Sequence, residues 1–516
     1  MTKSNLIRNT IVLGGWTLLS RGSGLVRDVL MAGYLGTGAA ADAFNVAFSL
    51  PNMFRRFFAE GAFNQAFVPI YAKKLEAGPS AGEDARGFAS DAFSGLIAVL
   101  LVLVTVCTLA MPWLVWAMAS GFVGDARFDL AVDYGRIAFV YILFISLVAL
   151  LSGVMNAHGR FSEAGFVPIL MNLIFIAAIG LAVWRGWDMG QTLAYTVPVT
   201  GAAQLAFTWI AAHRIGFRAG LSWPRWTPDL RHLLIIAGPA VLAGGVVQIN
   251  LLVGRQVASY TEGAVSWLVY ADRLYQLPLG VVGIAVGTVL LPDLARRLRS
   301  GDEAGAQSSL NRSLEFALAL TLPAAVALVV IAHALTFVLY QRGAFGPADT
   351  TATALALAIY GAGLPAFVLQ KVWQPLYYAR EDTRRPFQFA LLAMVVNVAL
   401  AAGLMPLIGF AAAAVATTAA AWIMLAQLIW GARGMGASVA LDARSKARLP
   451  RIVLASAIMG AALFAAAHLI SAWLYDSSWR YAALAGLIAL GIIVYFGSGA
   501  AIGAFKLADF RALRQR

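Results

Sequence analysis

Stretches of about 20 apolar residues recur from end to end of this 516-residue chain, and no other feature restricts its fold so severely. Twelve are uninterrupted, near 93–119, 136–155, 165–184, 191–212, 233–253, 265–291, 314–340, 351–378, 387–406, 409–430, 452–474 and 481–504. Pro406 and Gly409 divide what would otherwise be one overlong run. Two more, near 10–35 and 43–71, are long enough but carry charges. Hydrocarbon offers no partner to a backbone N–H or C=O, so runs of this length are read as helices. Only 12% of the residues are charged and 60% are hydrophobic, whereas a soluble surface needs roughly 25–35% Asp, Glu, Lys and Arg. We therefore expect an all-α polytopic membrane protein with about fourteen transmembrane helices.

The charges test that count. With both termini cytoplasmic, the termini and inside loops hold 26 Lys and Arg, and the outside loops hold four: Arg127, Arg185, Arg342 and Arg480. Such a bias is what the positive-inside rule demands. It also accounts for the net charge of +13 without nucleic acid, which is not expected as a partner. Lys3 and Arg8 precede an apolar run as in a signal sequence, but Arg21 and Arg27 interrupt the region beyond it, so cleavage is not expected.

Four arginines sit in the first two segments: Arg21, Arg27, Arg55 and Arg56. Each costs about 2.5–3.5 kcal/mol at membrane depth unless it faces a wet cavity or a partner. A guanidinium presents a planar fork of donors that matches phosphate oxygens. These residues therefore point to an anionic cargo. Arg21 and Arg27 are separated by about 120° around a helix. Asp28 adjoins Arg27 in sequence, so the two are not expected to share a direction. Glu60 lies one turn after Arg56, which favours an intrahelical pair and leaves Arg55 as the cargo-facing member. Arg273 lies in a later segment beside Asp272. In the competing structural reading, the arginines pair with Asp28, Asp42 and Asp272, and exchange of those pairs gates access. Glycines crowd the first segment and recur in the eighth (Gly280, Gly283 and Gly287), where they allow close approach and bending.

Residues 42–76 and 269–300 resemble each other. Pro51 aligns with Pro278 and Pro69 with Pro292; Arg27 aligns with Arg255 and Asn172 with Asn397 at similar offsets. The offset of about 225 residues covers six segments, so the repeats run in parallel, about an axis along the membrane normal. Expected domains are an N-lobe at 1–230, a C-lobe at 231–434 and two extra helices at 435–516. The lobes would face each other across a central cavity.

The stretch from Ser49 through Glu60 to Pro69, SLPNMFRRFFAEGAFNQAFVP, resembles the signature of the MurJ/MviN family. Supporting stretches surround Ser20–Asp28, Ala41–Phe44 and Tyr270–Leu274. The resemblance runs over the whole chain. It implies a flippase for lipid II, the undecaprenyl-pyrophosphate-linked muropeptide, in the bacterial inner membrane, within the multidrug/oligosaccharidyl-lipid/polysaccharide exporter superfamily. It implies that Arg21, Arg27, Arg55 and Arg273 handle cargo and that Asp28 and Asp42 act near the first two helices. Residues 435–516 would offer a groove for the lipid tail, and cell-wall synthesis enzymes are candidate partners beside membrane lipids. Some relatives carry an acid where this chain has Gln276. Cation binding is proposed in some relatives near helices 7, 11 and 12, but no Asp or Glu lies within 233–253, 387–406 or 409–430 here.

No enzymatic chemistry is expected. The chain has one cysteine, Cys107, within an apolar run, and neither a His-Glu-x-x-His nor a Walker A pattern, so no metal or cofactor is expected. Two alternatives compete with this reading. A drug/cation antiporter, or another lipid-linked oligosaccharide flippase of the superfamily, would share the fold; the antiporter would call for an acidic cavity. A lipid II-polymerising glycosyltransferase would need an extracytoplasmic carboxylate, for which Asp125, Asp129, Asp133 and Asp349 are placed only by location.

Overall fold

The computed structural model describes residues 3–55, 62–76, 81–160, 162–217, 220, 223, 226–476 and 478–505. Side chains at 3–13, 62–65, 81–82, 236–251 and 281–292 fall outside that description. Among the described residues the secondary structure is helical throughout, with no strand. The chain forms two compact units: residues 1–266 with 342–345, and residues 267–341 with 346–516.

The first unit is built from α1 (Lys3–Leu35), α2 (Ala39–Arg55), α3 (Ala62–Leu75), α4 (Ala81–Leu109), α5 (Met111–Met118), α6 (Ala126–Phe139), α7 (Tyr141–Ala157), α8 (Ser162–Arg185), α9 (Met189–Arg214) and α10 (Pro228–Ser259). Here α1 packs on α8, α2 on α6, and α7 on α9. Gly36 ends α1 with φ 71°, a left-handed turn, and an added Cβ would stand 2.7 Å from the Ala344 carbonyl. Glycine is thus required there both by conformation and by space.

The second unit follows with α11 (Ala264–Arg299), α12 (Glu303–Val330), α13 (Ala332–Tyr340), α14 (Pro347–Tyr378), α15 (Arg384–Ile408), α16 (Ala411–Gly431), α17 (Ala443–Leu469), α18 (Ser471–Tyr475) and α19 (Arg480–Ala501). Gly409 closes α15 at φ 57°, at the position where the sequence divides the long run. The last long helices, α17 and α19, pack with α12 and α13 through Met459, Leu463, Leu487, Val338 and Ile331. Tyr495 anchors them by donating to the Ala319 carbonyl at 2.6 Å. An apolar cavity of about 440 Å³ lies against α17, α18 and α19, lined by Ala466, Ile470, Trp473, Trp479, Gly486 and Leu490.

Among the described residues, nine helical segments are long and apolar enough to cross a membrane. The all-α polytopic reading therefore holds. Neither 233–253 nor 265–291, which lie partly outside the described side chains, is among the nine, and nor is 191–212. The run 191–212 is described throughout. It is α9, and the face it buries carries Thr196, Thr200, Gln204 and Thr208. Gln204 donates to the Val167 carbonyl at 2.8 Å and accepts from the Tyr141 hydroxyl at 3.2 Å. Thr196 and Thr208 return their hydroxyls to carbonyls one turn back. A helix face packed against protein can carry polar side chains that hydrocarbon would reject.

Beyond the apolar part of α11, Asp293 holds the elbow into α12. It accepts from Arg296 at 2.6 Å, from Arg297 at 2.8 Å and from the Ser309 hydroxyl. Burial pushes its carboxyl up, but these bonds prevail and hold it at about 2. A carboxylate depressed from about 3.9 adds stability at and above that value, and the contribution is lost as pH falls through the folded value. Amide exchange at the α11–α12 elbow should therefore stay slow down to about pH 4 and speed up toward pH 2. Asp293→Asn should abolish that pH dependence while leaving other elbows unchanged.

Candidate functional site

Arg27 lies buried in α1, only 7% exposed, and its donors are engaged. Nε and Nη2 both donate to Asp28 Oδ1, at 3.0 and 2.7 Å, and Nη1 donates to Asn172 Oδ1 at 3.0 Å. The guanidinium also stands 5.7 Å from the centre of the Phe175 ring. The expectation that Asp28 could not share its direction is corrected here. Successive Cα–Cβ bonds do diverge on a helix, but the long arginine stem curls back and brings the fork onto its neighbour. Sequence reasoning flagged Asn172 only as a repeat match. It is in fact a hub on α8, donating to the Ser20 carbonyl and to Ser23 Oγ, both at 3.0 Å. Arg27 is thereby tied into the α1–α8 seam.

Arg21 on α1 and Arg55 in the last turn of α2 are half-buried. Arg56 and Glu60 lie outside the described residues. In the second unit Arg273 and Asp272 are half-buried on α11, and Gln276 donates to the Asp272 carboxylate one turn away. The neutral amide at 276 is thus a donor to that acid.

A second cluster centres on Asp42, in the first turn of α2 and fully buried. Its carboxylate accepts from the backbone N–H of Gly263 at 2.8 Å and of Ser266 at 2.9 Å, and from Ser266 Oγ at 2.7 Å. Asn45, one turn on, donates to the same hydroxyl at 3.0 Å. The cation at Asp42 is Arg127, at 3.5 Å. Arg127 was counted as an outside-loop charge, yet it is only 4% exposed. It also donates to Asp125 Oδ2 at 2.7 Å and to the Ser259 carbonyl at 3.2 Å, and it stacks 4.5 Å from the Phe122 ring centre.

The turn from α10 to α11 is thus fastened to α2 and α6. Beside it, Gln256 accepts from the Ser120 N–H at 2.8 Å and donates to the Ala117 carbonyl at 2.8 Å, while the Gly121 N–H donates to Ser259 Oγ at 3.0 Å. Gly121 leaves no room for a side chain, since an added Cβ would stand 2.6 Å from the Ser259 backbone. The Gly33 carbonyl receives the Ala344 N–H at 2.8 Å on the same unit.

Two of the carboxylates named for glycosyl transfer, Asp125 and Asp349, have structural partners. Asp125 caps α6, and the bond from the Arg127 N–H is the chief cause of its lowered pKa. Asp349 accepts from Trp267 Nε1 and from the Gly346 N–H, both at 2.8 Å. Among the described residues, no group of three or more His, Cys, Asp and Glu side chains could hold a metal ion.

Comparison with known proteins adds the following. The family model described as lipid II flippase MurJ matches residues 31–484. A probable lipid II flippase MurJ of Rhizobium meliloti is 45% identical over 98% of this chain and 96% of its own length. A lipid II flippase MurJ of Burkholderia cenocepacia is 38% identical over 79% of this chain and 80% of its own. Among solved structures, a lipid II flippase MurJ in an inward closed conformation superposes with TM-score 0.77 at 26% identity, covering 95% of this chain and 98% of that one. An inward-facing multidrug MATE transporter, at 13% identity and TM-score 0.65, shares the fold alone.

Proposed function

We propose, from the premise that this chain belongs to the lipid II flippase MurJ family of multi-pass bacterial inner-membrane proteins, that it moves lipid II from the inner to the outer leaflet. The observation that carries the proposal is the family match over residues 31–484, together with the arginines of α1 and α2, which we read as spans. The reaction breaks no covalent bond; the protein acts as a carrier and not as an enzyme. Arg21, Arg27, Arg55 and Arg273 are the proposed cargo cations, with a diphosphate as the anion they receive. Arg27 enters the cycle committed to Asp28 and Asn172, so cargo must compete for its donors.

The Asp42 cluster supports an alternating cycle. With Asn45, Arg127 and the 259–266 turn it forms a latch at what we take to be the extracytoplasmic end, closed in this structure, and the likeness to an inward closed relative agrees with that state. Release of cargo outward requires the latch to open. The apolar cavity at α17–α19 is the proposed seat of the polyprenyl tail. A drug/cation antiporter is not favoured, because the charges it would need are acidic.

Depleting the protein and then assaying which leaflet holds lipid II tests the function. Accumulation in the inner leaflet is expected; an unchanged distribution would refute it. Orientation is tested by single cysteines at Ser308 and Ser478, both exposed. We expect the first to react with impermeant reagent only from the cytoplasm and the second only from outside. Reaction of both from one side would overturn the fourteen-span topology.

A further inference from the structure

Several described residues between α9 and the first turn of α10 are held in place. Phe217 is buried. The Gly220 N–H donates to Ser90 Oγ at 3.2 Å, and the Gly220 carbonyl accepts from Ser94 Oγ at 3.4 Å, both on α4. Thr227 caps α10 by accepting from the Leu230 N–H at 3.3 Å, and Lys74 pairs with Asp229 at 2.8 Å. Between these fixed points Trp223 is 87% exposed and Trp226 72%. Among the described residues, Trp223 is the most exposed of the large hydrophobic side chains.

With Gly220 held on α4 and Thr227 capping α10, both indoles still stand clear of the protein. Presented outward, they have either water or a membrane surface to meet. Water is the poor choice for an indole. Its favoured site is the headgroup level of a bilayer, where the apolar ring is covered and the N–H stays wet. The connection runs between two helices that we read as spans, so it emerges at that level. The sequence from 213 to 232 also holds Arg214, Arg218, Arg225 and Arg231 against the single acid Asp229. An excess of cations next to interfacial aromatics suits an anionic leaflet, whose attraction is felt within a Debye length of its surface.

We propose that Trp223 and Trp226 form an interfacial anchor, seated among the headgroups of anionic phospholipid on their own side of the membrane. It fixes the first turn of α10 relative to the bilayer while the other end of that helix is held by the latch around Gln256 and Ser259. The inference rests on the reading of α9 and α10 as spans; assigning it to the cytoplasmic leaflet rests on the proposed orientation.

The test uses the full chain with Cys107→Ala, reconstituted in vesicles of phosphatidylethanolamine and phosphatidylglycerol. Trp223→Cys carries an environment-sensitive NBD dye, and Ser308→Cys, exposed in the second turn of α12, serves as the aqueous control. Headgroup-level spin-labelled lipid should quench the dye at 223 at least about threefold more than the dye at 308. Replacing phosphatidylglycerol by phosphatidylcholine should cut the quenching at 223 about twofold. Equal, weak quenching at both positions would overturn the anchor and leave the indoles as a surface for a soluble protein. Strong quenching indifferent to lipid charge would overturn the anionic preference. Trp223→Ser/Trp226→Ser should retain wild-type melting in detergent, since neither ring is packed, yet bind the vesicle surface less tightly when the isotopic protection of residues 227–233 is read. Unchanged protection in that variant would also count against the anchor. None of these readouts depends on transport, so failure of the wild type to flip lipid II would refute the proposed function alone.

Discussion

Alanine in place of Arg27, Arg55 or Arg273, one at a time, is expected to abolish complementation of a strain depleted of its own flippase. Membrane abundance of the Arg55 and Arg273 variants should stay within about twofold of wild type, because both residues are only half-buried. Arg27 is different. Removing it strands the buried Asp28 carboxylate, and breaking a buried pair from one side costs about 3–5 kcal/mol. The Arg27→Ala/Asp28→Asn double variant should therefore recover abundance without recovering function. Lysine should rescue Arg27 poorly, since one ammonium cannot serve Asp28 and Asn172 with the geometry of a fork. Growth supported by all three alanine variants at normal abundance would dismiss the cationic cargo site.

A disulfide replacing the Asn45–Ser266 hydrogen bond is expected to stop transport outright. The Asn45 amide and the Ser266 hydroxyl meet at 3.0 Å, so Asn45→Cys/Ser266→Cys sets two thiols at one contact, to be joined by a membrane-permeant oxidant. The bond would hold the α10–α11 turn on α2 through every step of the cycle. Complementation should fail under oxidising conditions, return on reduction, and persist in each single-cysteine variant. Full activity with the cross-link complete, measured by gel shift on the same sample, would mean that the latch need not open.

Much of the fold was legible because membrane helices announce themselves locally. Twenty apolar residues and a change of loop charge need no knowledge of distant partners, and Gly409 ends α15 where the sequence said a helix must end. The cationic character of α1 and α2 was equally local. What stayed hidden depended on register between helices. Asn172 meets Arg27 across 145 positions and Asp42 meets Ser266 across 224; no periodicity carries that information. Arg127 misled for a related reason. A single arginine between two spans counts as a loop charge, and only the fold reveals Asp42, Asp125 and Phe122 around it. Asp28 was misjudged because helical wheels track Cβ directions, whereas a guanidinium ends several bonds further on.

Two of the bonds that Asp42 receives come from main-chain amides, those of Gly263 and Ser266. Every residue except proline supplies such a donor. The turn can therefore drift in sequence while half of its grip on Asp42 endures, provided its curvature is kept. Substitutions scanned along 263–266 would understate the latch, since they delete side chains and spare the amides. Chemistry aimed at the backbone would not: replacing a single amide by an ester in that turn strikes a donor that genetics cannot reach. By the same reasoning, a small molecule that offers two convergent N–H groups to the Asp42 carboxylate would compete with the turn itself and hold the latch apart.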